Sequence, residues 1–177
     1  MHHRPASVCS SALQAIGNTP VVRLQKVVSP NSAEVLVKLE YFNPTASYKD
    51  RMALAVIEEA EARGSLRPGM TVVEYTGGNT GSALAFVCAV KGYAFKAVTS
   101  DAFAHEKLQT MRAFGAELII VPSLRGQITP DLTPRMIEEA RKLAQSEEVY
   151  WTNQLQNVDS IKMCDHISQG KVNLSTA

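Results

Sequence analysis

Few cysteines, no block of like charge and no long apolar run bound what this 177-residue chain can be. Its only cysteines, Cys9, Cys88 and Cys164, lie far apart, are odd in number and form no CxxC. That argues against a disulfide framework and a cysteine zinc site, and suits a reducing cytoplasm. Net charge is +1 with no basic cluster, so the electrostatic footprint of a nucleic-acid partner is missing. The longest apolar run, Ala83 to Val90, falls far short of a membrane span, and no membrane partner is expected. Met1 to Pro5 lacks the apolar core of a signal peptide. His2 and His3 are too few ligands for a metal site, and His105 and His166 stand alone, so no metal is expected. No internal repeat of the solenoid kind is visible.

What is present suits a globular chain. The hydrophobic fraction is 45% and the charged fraction 20%, enough to bury a core in one domain, or one domain plus part of another. Ser10 to Ile16 reads as a short helix stopped by Gly17. Val21 to Leu24 and Glu34 to Glu40 read as two strands of a hairpin, with turns at Asn18–Pro20 and at Pro30–Ser32. From Lys49 the rhythm changes. Met52, Ala53, Val56, Ile57 and Ala60 form one apolar helical face ending at Gly64. Strands at 71–75, 95–99, 117–121 and 149–151 then alternate with helices at 80–91, 104–114 and from about Thr133. Pro134 suits the first position of that last helix, and Leu132 and Ile137 are spaced as its hydrophobic staple. The 80–91 helix is apolar nearly all round and should be deeply buried. Repeating units of this length predict right-handed βαβ crossovers, hence an open parallel α/β sheet with helices on both faces.

Two stretches carry chemistry. Asn43-Pro44-Thr45-Ala46-Ser47-Tyr48-Lys49-Asp50-Arg51 is a tight entry into a helix, with Ser47 and Asp50 spaced as a capping box. Lys49 then stands in the first helical turn, beside the positive end of the dipole, where an ammonium is disfavoured and a neutral, nucleophilic amine favoured. Asp50 and Arg51 read as a charge pair at the helix start, and Glu58-Glu59-Glu61-Arg63 as a solvated face. The second stretch, Glu74-Tyr75-Thr76-Gly77-Gly78-Asn79-Thr80-Gly81, runs from a strand end into the buried helix. Its glycines let a ligand approach the backbone, its amides face an anion, and Thr76, Asn79 and Thr80 add side-chain donors. It is neither a Walker A loop nor G-x-G-x-x-G. Cys88, inside the buried helix, reads as core filler, and Trp151 as the anchor of the last strand.

Together the two stretches resemble the cysteine synthase (O-acetylserine sulfhydrylase) and cystathionine β-synthase family of fold-type-II pyridoxal-phosphate enzymes. Ile16 to Leu24 and Asn153-Gln154-Leu155-Gln156-Asn157 add to the likeness, which covers about residues 13 to 157. The resemblance implies pyridoxal phosphate as cofactor, with Lys49 as the Schiff-base lysine that also takes the substrate's α-proton. It implies that Asn79 bonds the cofactor's ring hydroxyl. Thr76, Gly77, Gly78 and Thr80 would cradle the substrate carboxylate, with Gln154 closing over it. The implied reaction is β-replacement on an activated serine, O-acetylserine plus sulfide giving cysteine, in a cytoplasmic enzyme that is usually a homodimer. A cystathionine β-synthase or a serine/threonine dehydratase would use the same parts.

Two departures qualify this. The family usually has serine where this chain has Gly77, which removes one hydroxyl donor. No G-T-G-G-T loop for the cofactor phosphate is present; the only glycine after Gly126 is Gly170. The expected layout is therefore an N-terminal segment (1–46) that normally lies on the large domain, a small α/β domain (47–157) and a divergent tail (158–177). The chain reads as truncated or frame-altered, with weak or no turnover. The rival expectations are a non-catalytic remnant that pairs with a full-length relative, and a small-anion or nucleotide binder that uses only the Thr76–Gly81 loop.

Overall fold

From Lys49 onward the alternation of strand and helix is as the apolar spacing predicts, in a computed structural model that describes residues 8–29 and 31–161. His2–His3, Pro30, Cys164, His166, Gly170 and most of the 158–177 tail lie outside the described residues. The elements are β1 (Val21–Arg23), β2 (Leu36–Lys38), α1 (Lys49–Ala62), β3 (Thr71–Tyr75), α2 (Asn79–Lys91), β4 (Ala94–Thr99), α3 (His105–Ala113), β5 (Glu117–Ile120), α4 (Leu132–Leu143) and β6 (Val149–Trp151).

Strands β3 to β6 form one parallel sheet in the order β5-β4-β3-β6. The chain steps outward through β4 and β5, then returns to the far side of β3. Because each crossover keeps the same hand, that reversal sends α4 to the opposite face from α2 and α3. Two cores result. Val72, Phe95 and Ala97 pack beneath α1, α2 and α3, with Leu84, Val87 and Met111. Val73, Tyr75 and Val98 point to the other side and meet Leu132, Met136 and Ala140 of α4. Alternation along β3 therefore buries both faces, from Val72 to Tyr75. Helix α2 is buried from Thr80 to Cys88, as its apolar circumference predicts, and closes on Gly92 at φ +81°.

β1 and β2 pair antiparallel as a separate hairpin. The second strand is shorter than its 34–40 reading, because residues 40–42 turn into a 3-10 segment that carries Glu40 inward to Arg51. The Ser10–Ile16 helix is likewise a single 3-10 turn, Ala12–Ala15. Helix α4 begins at Leu132, so Pro134 is its third residue and Leu132, fully buried, lies inside the helix; the expected staple geometry is absent.

Candidate active site

β3 and β6 are neighbours whose outgoing loops leave the same edge of the sheet, the point where strand order reverses and an α/β sheet opens a crevice. A cavity of about 280 Å³ lies there. Lys49, Thr76, Gly77, Gly78, Asn79, Thr80 and Gln154 all line it, with Tyr75, Phe103, Thr133 and Met136. Seven residues picked from three separate stretches of sequence thus share one space.

Lys49 is the first residue of α1 and is half-buried. Ser47 caps this end, its hydroxyl accepting the Lys49 N–H at 3.2 Å and its carbonyl the Asp50 N–H at 3.3 Å. The ammonium sits 5.0 Å from the centroid of the Tyr48 ring, within cation–π range. The expected capping box does not close. The Asp50 carboxylate reaches past Ser47 and accepts from the Thr45 N–H at 2.7 Å and from the Thr45 hydroxyl. Burial pushes the Asp50 carboxyl up, against those two bonds. Nor do Asp50 and Arg51 pair. Arg51 turns away to Glu40, donating from Nε at 2.8 Å and from Nη2 at 3.0 Å.

In the second loop, Thr76 Oγ1 accepts from the amides of Gly78 at 3.3 Å and Gly81 at 3.1 Å. This buried hydroxyl acts as a cap for α2, and its own proton remains available to donate. The Thr80 hydroxyl is committed differently, donating to Gln154 Oε1 at 2.7 Å. Its expected role as a free donor therefore holds only when Gln154 moves. Asn79 is exposed at the cavity. Gly78 stands open, since a Cβ there would meet nothing within 4 Å. Gly77 is different: an added Cβ would overlap the Phe103 ring, and no left-handed φ otherwise demands glycine. A serine at position 77 would require the Phe103 ring to move.

Three participants were not singled out from sequence. Glu74 is fully buried, and its carboxylate accepts from the Thr152 hydroxyl, the Gln154 N–H at 3.0 Å and the Tyr75 N–H at 3.1 Å. Burial outweighs these bonds and pushes its carboxyl up to about 7. Thr152 and Phe103 carried no signal except proximity in space. Among the described residues no cluster of three metal-ligating side chains occurs, and no helix is long and apolar enough to cross a membrane.

The donor set suits an aldehyde cofactor and an amino-acid carboxylate: one amine at the mouth, an open glycine backbone and the Asn79 and Thr80 amides that the Thr76 cap does not take. A family profile described as pyridoxal-phosphate dependent enzyme matches residues 12–169. The chain is 44% identical over 144 residues to a cysteine synthase of Staphylococcus aureus, covering 81% of this chain and 44% of that one. It is 49% identical over 117 residues to an O-ureido-L-serine synthase of Streptomyces lavendulae, covering 66% of this chain and 36% of that one. The crystal structure of a cysteine synthase from Entamoeba histolytica superposes with a TM-score of 0.86 at 34% identity, covering 96% of this chain and 50% of that one. The chain thus spans half or less of the length of these relatives.

Proposed function

The chain belongs to the pyridoxal-phosphate dependent enzyme family and is cysteine synthase-like within it, and from that premise we propose that its cavity is the amino-acid side of a β-replacement site. The observation that carries this reading is the convergence of Lys49, the Thr76–Thr80 loop and Gln154 on one space. The proposed substrates are O-acetylserine and sulfide, giving cysteine and acetate. Bound pyridoxal phosphate supplies an electron sink for charge that develops at the substrate's α-carbon.

Lys49 Nζ is the amine that would hold the cofactor's aldehyde, and it is the base placed to take the substrate's α-proton. The open Gly78 backbone and the first amides of α2 hold the substrate carboxylate, with the Thr76 hydroxyl donating its remaining proton. Asn79 is the donor to the cofactor's ring hydroxyl. Gln154 leaves Thr80 and closes on the carboxylate, which frees the Thr80 hydroxyl to donate as well. With Gly77 in place of a hydroxyl residue, Phe103 supplies an apolar wall beside the loop. The division into residues 1–46, 47–157 and the tail, a cytoplasmic setting and a homodimer belong to the same proposal. No G-T-G-G-T loop occurs in the 177 residues.

The test is an absorbance spectrum after addition of pyridoxal phosphate, then borohydride reduction and peptide mapping, with Lys49→Ala as control. A visible band and a label on Lys49 Nζ are expected. A label scattered over surface lysines sinks the proposal.

A second reading, association with a full-length relative, is favoured by the hairpin. Val21, Val22, Val35, Leu36 and Val37 are each at least 36% exposed, and Tyr41 and Phe42 more than half. Co-elution with such a relative in size-exclusion chromatography is then expected, and a lone monomer peak in the mixture would exclude it.

A further inference from the structure

We propose that Glu74 is the positioning residue of this site: buried beneath the seam of β3 and β6, its carboxyl fixes Gln154 against Thr80 and so sets the geometry of the carboxylate-binding loop. The inference rests on the reading above for its functional meaning, but its geometry stands alone. Glu74 Oε2 takes the Gln154 backbone N–H at 3.0 Å and the Thr152 hydroxyl, while Oε1 takes the Tyr75 N–H at 3.1 Å. Held at its backbone in this way, Gln154 offers Oε1 to Thr80 at 2.7 Å and Nε2 to the Tyr75 carbonyl at 3.4 Å. One side chain thus ties the loop after β6 to the loop after β3, and those loops with the first turn of α2 carry six of the seven residues assigned to the site. A carboxyl is an odd choice for a purely structural clamp. Its strand neighbours are Val73 and Tyr75, its partner on β4 is Ala97, and it is 0% exposed, where an uncompensated charge is costly.

Among the described residues no cation is found to offset that charge: on α1, Arg51 is held by Glu40, Arg63 by Asp159, and Lys49 sits over the Tyr48 ring. On β4, Lys96 pairs with Glu117; on α4, Arg135 is held by Asp131 and the Pro122 carbonyl, and Arg141 by Glu138. On α2, Lys91 pairs with Glu58 and Glu61, and on β6 the Tyr150 hydroxyl takes a bond from Asn157. Tyr75 is the titratable group that feels Glu74, and burial together with that neighbouring charge pushes the Tyr75 hydroxyl up. Its three donors hold the carboxylate better than the acid, but the cost of burying the charge is larger, so the closed seam as a whole is favoured when Glu74 is neutral. Opening the seam solvates the carboxyl and returns it toward its ordinary range, so ionisation favours the open form. Gln154, the residue that must leave Thr80 to close on a substrate carboxylate, is thereby loosened as pH rises toward about 7.

The experiment is amide hydrogen exchange on the full 177-residue chain, corrected for intrinsic rates, with the amides of β4 and β5 as internal reference. Protection of residues 152–156 relative to that reference is expected to fall as pH rises from 5 to 7, by up to about tenfold per pH unit, and then to level off. Glu74→Gln, which cannot titrate and resembles the neutral form, should flatten this profile near its low-pH level. Glu74→Leu should loosen residues 152–156 at least tenfold at pH 5. Should that variant fail to fold, Thr152→Val removes the hydroxyl donor at constant shape and should loosen the same residues. A pH slope that survives in Glu74→Gln, or that the reference strands share equally, overturns the proposal. So does protection within twofold of wild type in Glu74→Leu, or in Thr152→Val where it stands in for that variant. Lys49 labelling is read in parallel. Its absence in the wild type overturns the functional reading of the site and leaves the exchange result to decide Glu74.

Discussion

Glu40, at the seam between the hairpin and α1, and Glu74, at the seam between β3 and β6, stitch two parts of the chain together with different partners. Glu40 meets a cation. Arg51 donates to it from two nitrogens, and Thr19 and Asn43 add hydrogen bonds. Partial burial pushes the Glu40 carboxyl up, but those bonds and the guanidinium charge together outweigh burial and hold it at about 2. Glu74 has three hydrogen bonds to Glu40's four and no cation among them, and burial wins, at about 7. Depth of burial and the chemistry of the donors differ together here: Glu40 keeps a fifth of its side-chain surface exposed and has a guanidinium among its donors, whereas Glu74 is wholly buried with neutral donors only. The first seam is a lock, and the second is left able to give.

Removing the cation should have the largest effect. Arg51→Met leaves Glu40 beside Thr19 and Asn43 with only the more distant Lys38 ammonium, at 3.9 Å, against its charge. Losing one partner of a buried pair costs roughly 3–5 kcal/mol, and because Glu40 keeps 19% of its side-chain surface exposed, about 3 kcal/mol is expected. Urea denaturation of the variant checks this. A loss under about 1 kcal/mol would make the lock a surface contact.

The two seams also predict opposite pH arms. Both carboxyls start from 4.5 in the unfolded chain. Glu40, lowered in the fold, contributes stability that is present above about 4.5 and lost as pH falls toward 2. Glu74, raised in the fold, contributes stability that is present below about 4.5 and lost as pH rises toward 7. The Glu74 arm should amount to about 2–3 kcal/mol. The Glu40 arm, discounted for solvent screening, should be nearer 1 kcal/mol. Chemical denaturation between pH 2 and 8 should therefore show an alkaline decline that vanishes in Glu74→Gln and an acid decline that shrinks in Arg51→Met. A Glu74→Gln variant whose stability still falls from pH 4.5 to 7 by the wild-type amount would break the comparison.

Much of this was visible before the structure, and the failures share one cause. Period-2 and period-3.6 apolar spacing is a local signal, so the hairpin, the alternating βαβ units and the buried α2 were legible. The two loops were legible too, because glycines and a capping serine mark where a chain enters a helix. The buried polar network was not. Asp50 and Arg51 are neighbours in sequence and looked like a pair, but consecutive helical residues point about 100° apart. Arg51 instead finds Glu40, and Asp50 finds Thr45. Glu61 and Arg63, read as part of a solvated face, tie α1 to Lys91 and to Asp159. Glu74 and Thr152 lie 78 residues apart, and only the return of β6 to the side of β3 brings them together. The same holds for Phe103 over Gly77, whose glycine looked like a lost hydroxyl and is a steric match to an aromatic ring.

The Glu74 seam leans on close packing as well as on hydrogen bonds, which Gly81→Ala would test. A Cβ at this position would overlap Met111 Sδ and lie 2.6 Å from Thr76 Cγ2. The methionine end can move, but Thr76 caps α2 and cannot withdraw without losing its bonds to Gly78 and Gly81. Overpacking of this kind costs roughly 1–3 kcal/mol, and about 2 is expected in thermal or urea unfolding. Wild-type stability in this variant would mean the loop is already loose without a substrate.

The smallest effect concerns a third buried ionisable group, one that shows what burial does with neither cation nor hydrogen-bond network. Cys88 lies within α2 at 0% exposure, and burial first, with the Glu61 charge second, pushes its thiol up to about 12. The ordering of Glu40, Glu74 and Cys88 then follows the strength of what each meets inside the fold. Only the thiolate reacts with alkylating or disulfide reagents, so Cys88 should resist them at pH 8 while the exposed Cys9 reacts at once. Mass mapping after brief iodoacetamide treatment separates the two. Labelling of Cys88 at a rate near that of Cys9 would mean α2 opens readily to solvent, and the rigid wall assumed behind the Glu74 seam would be absent.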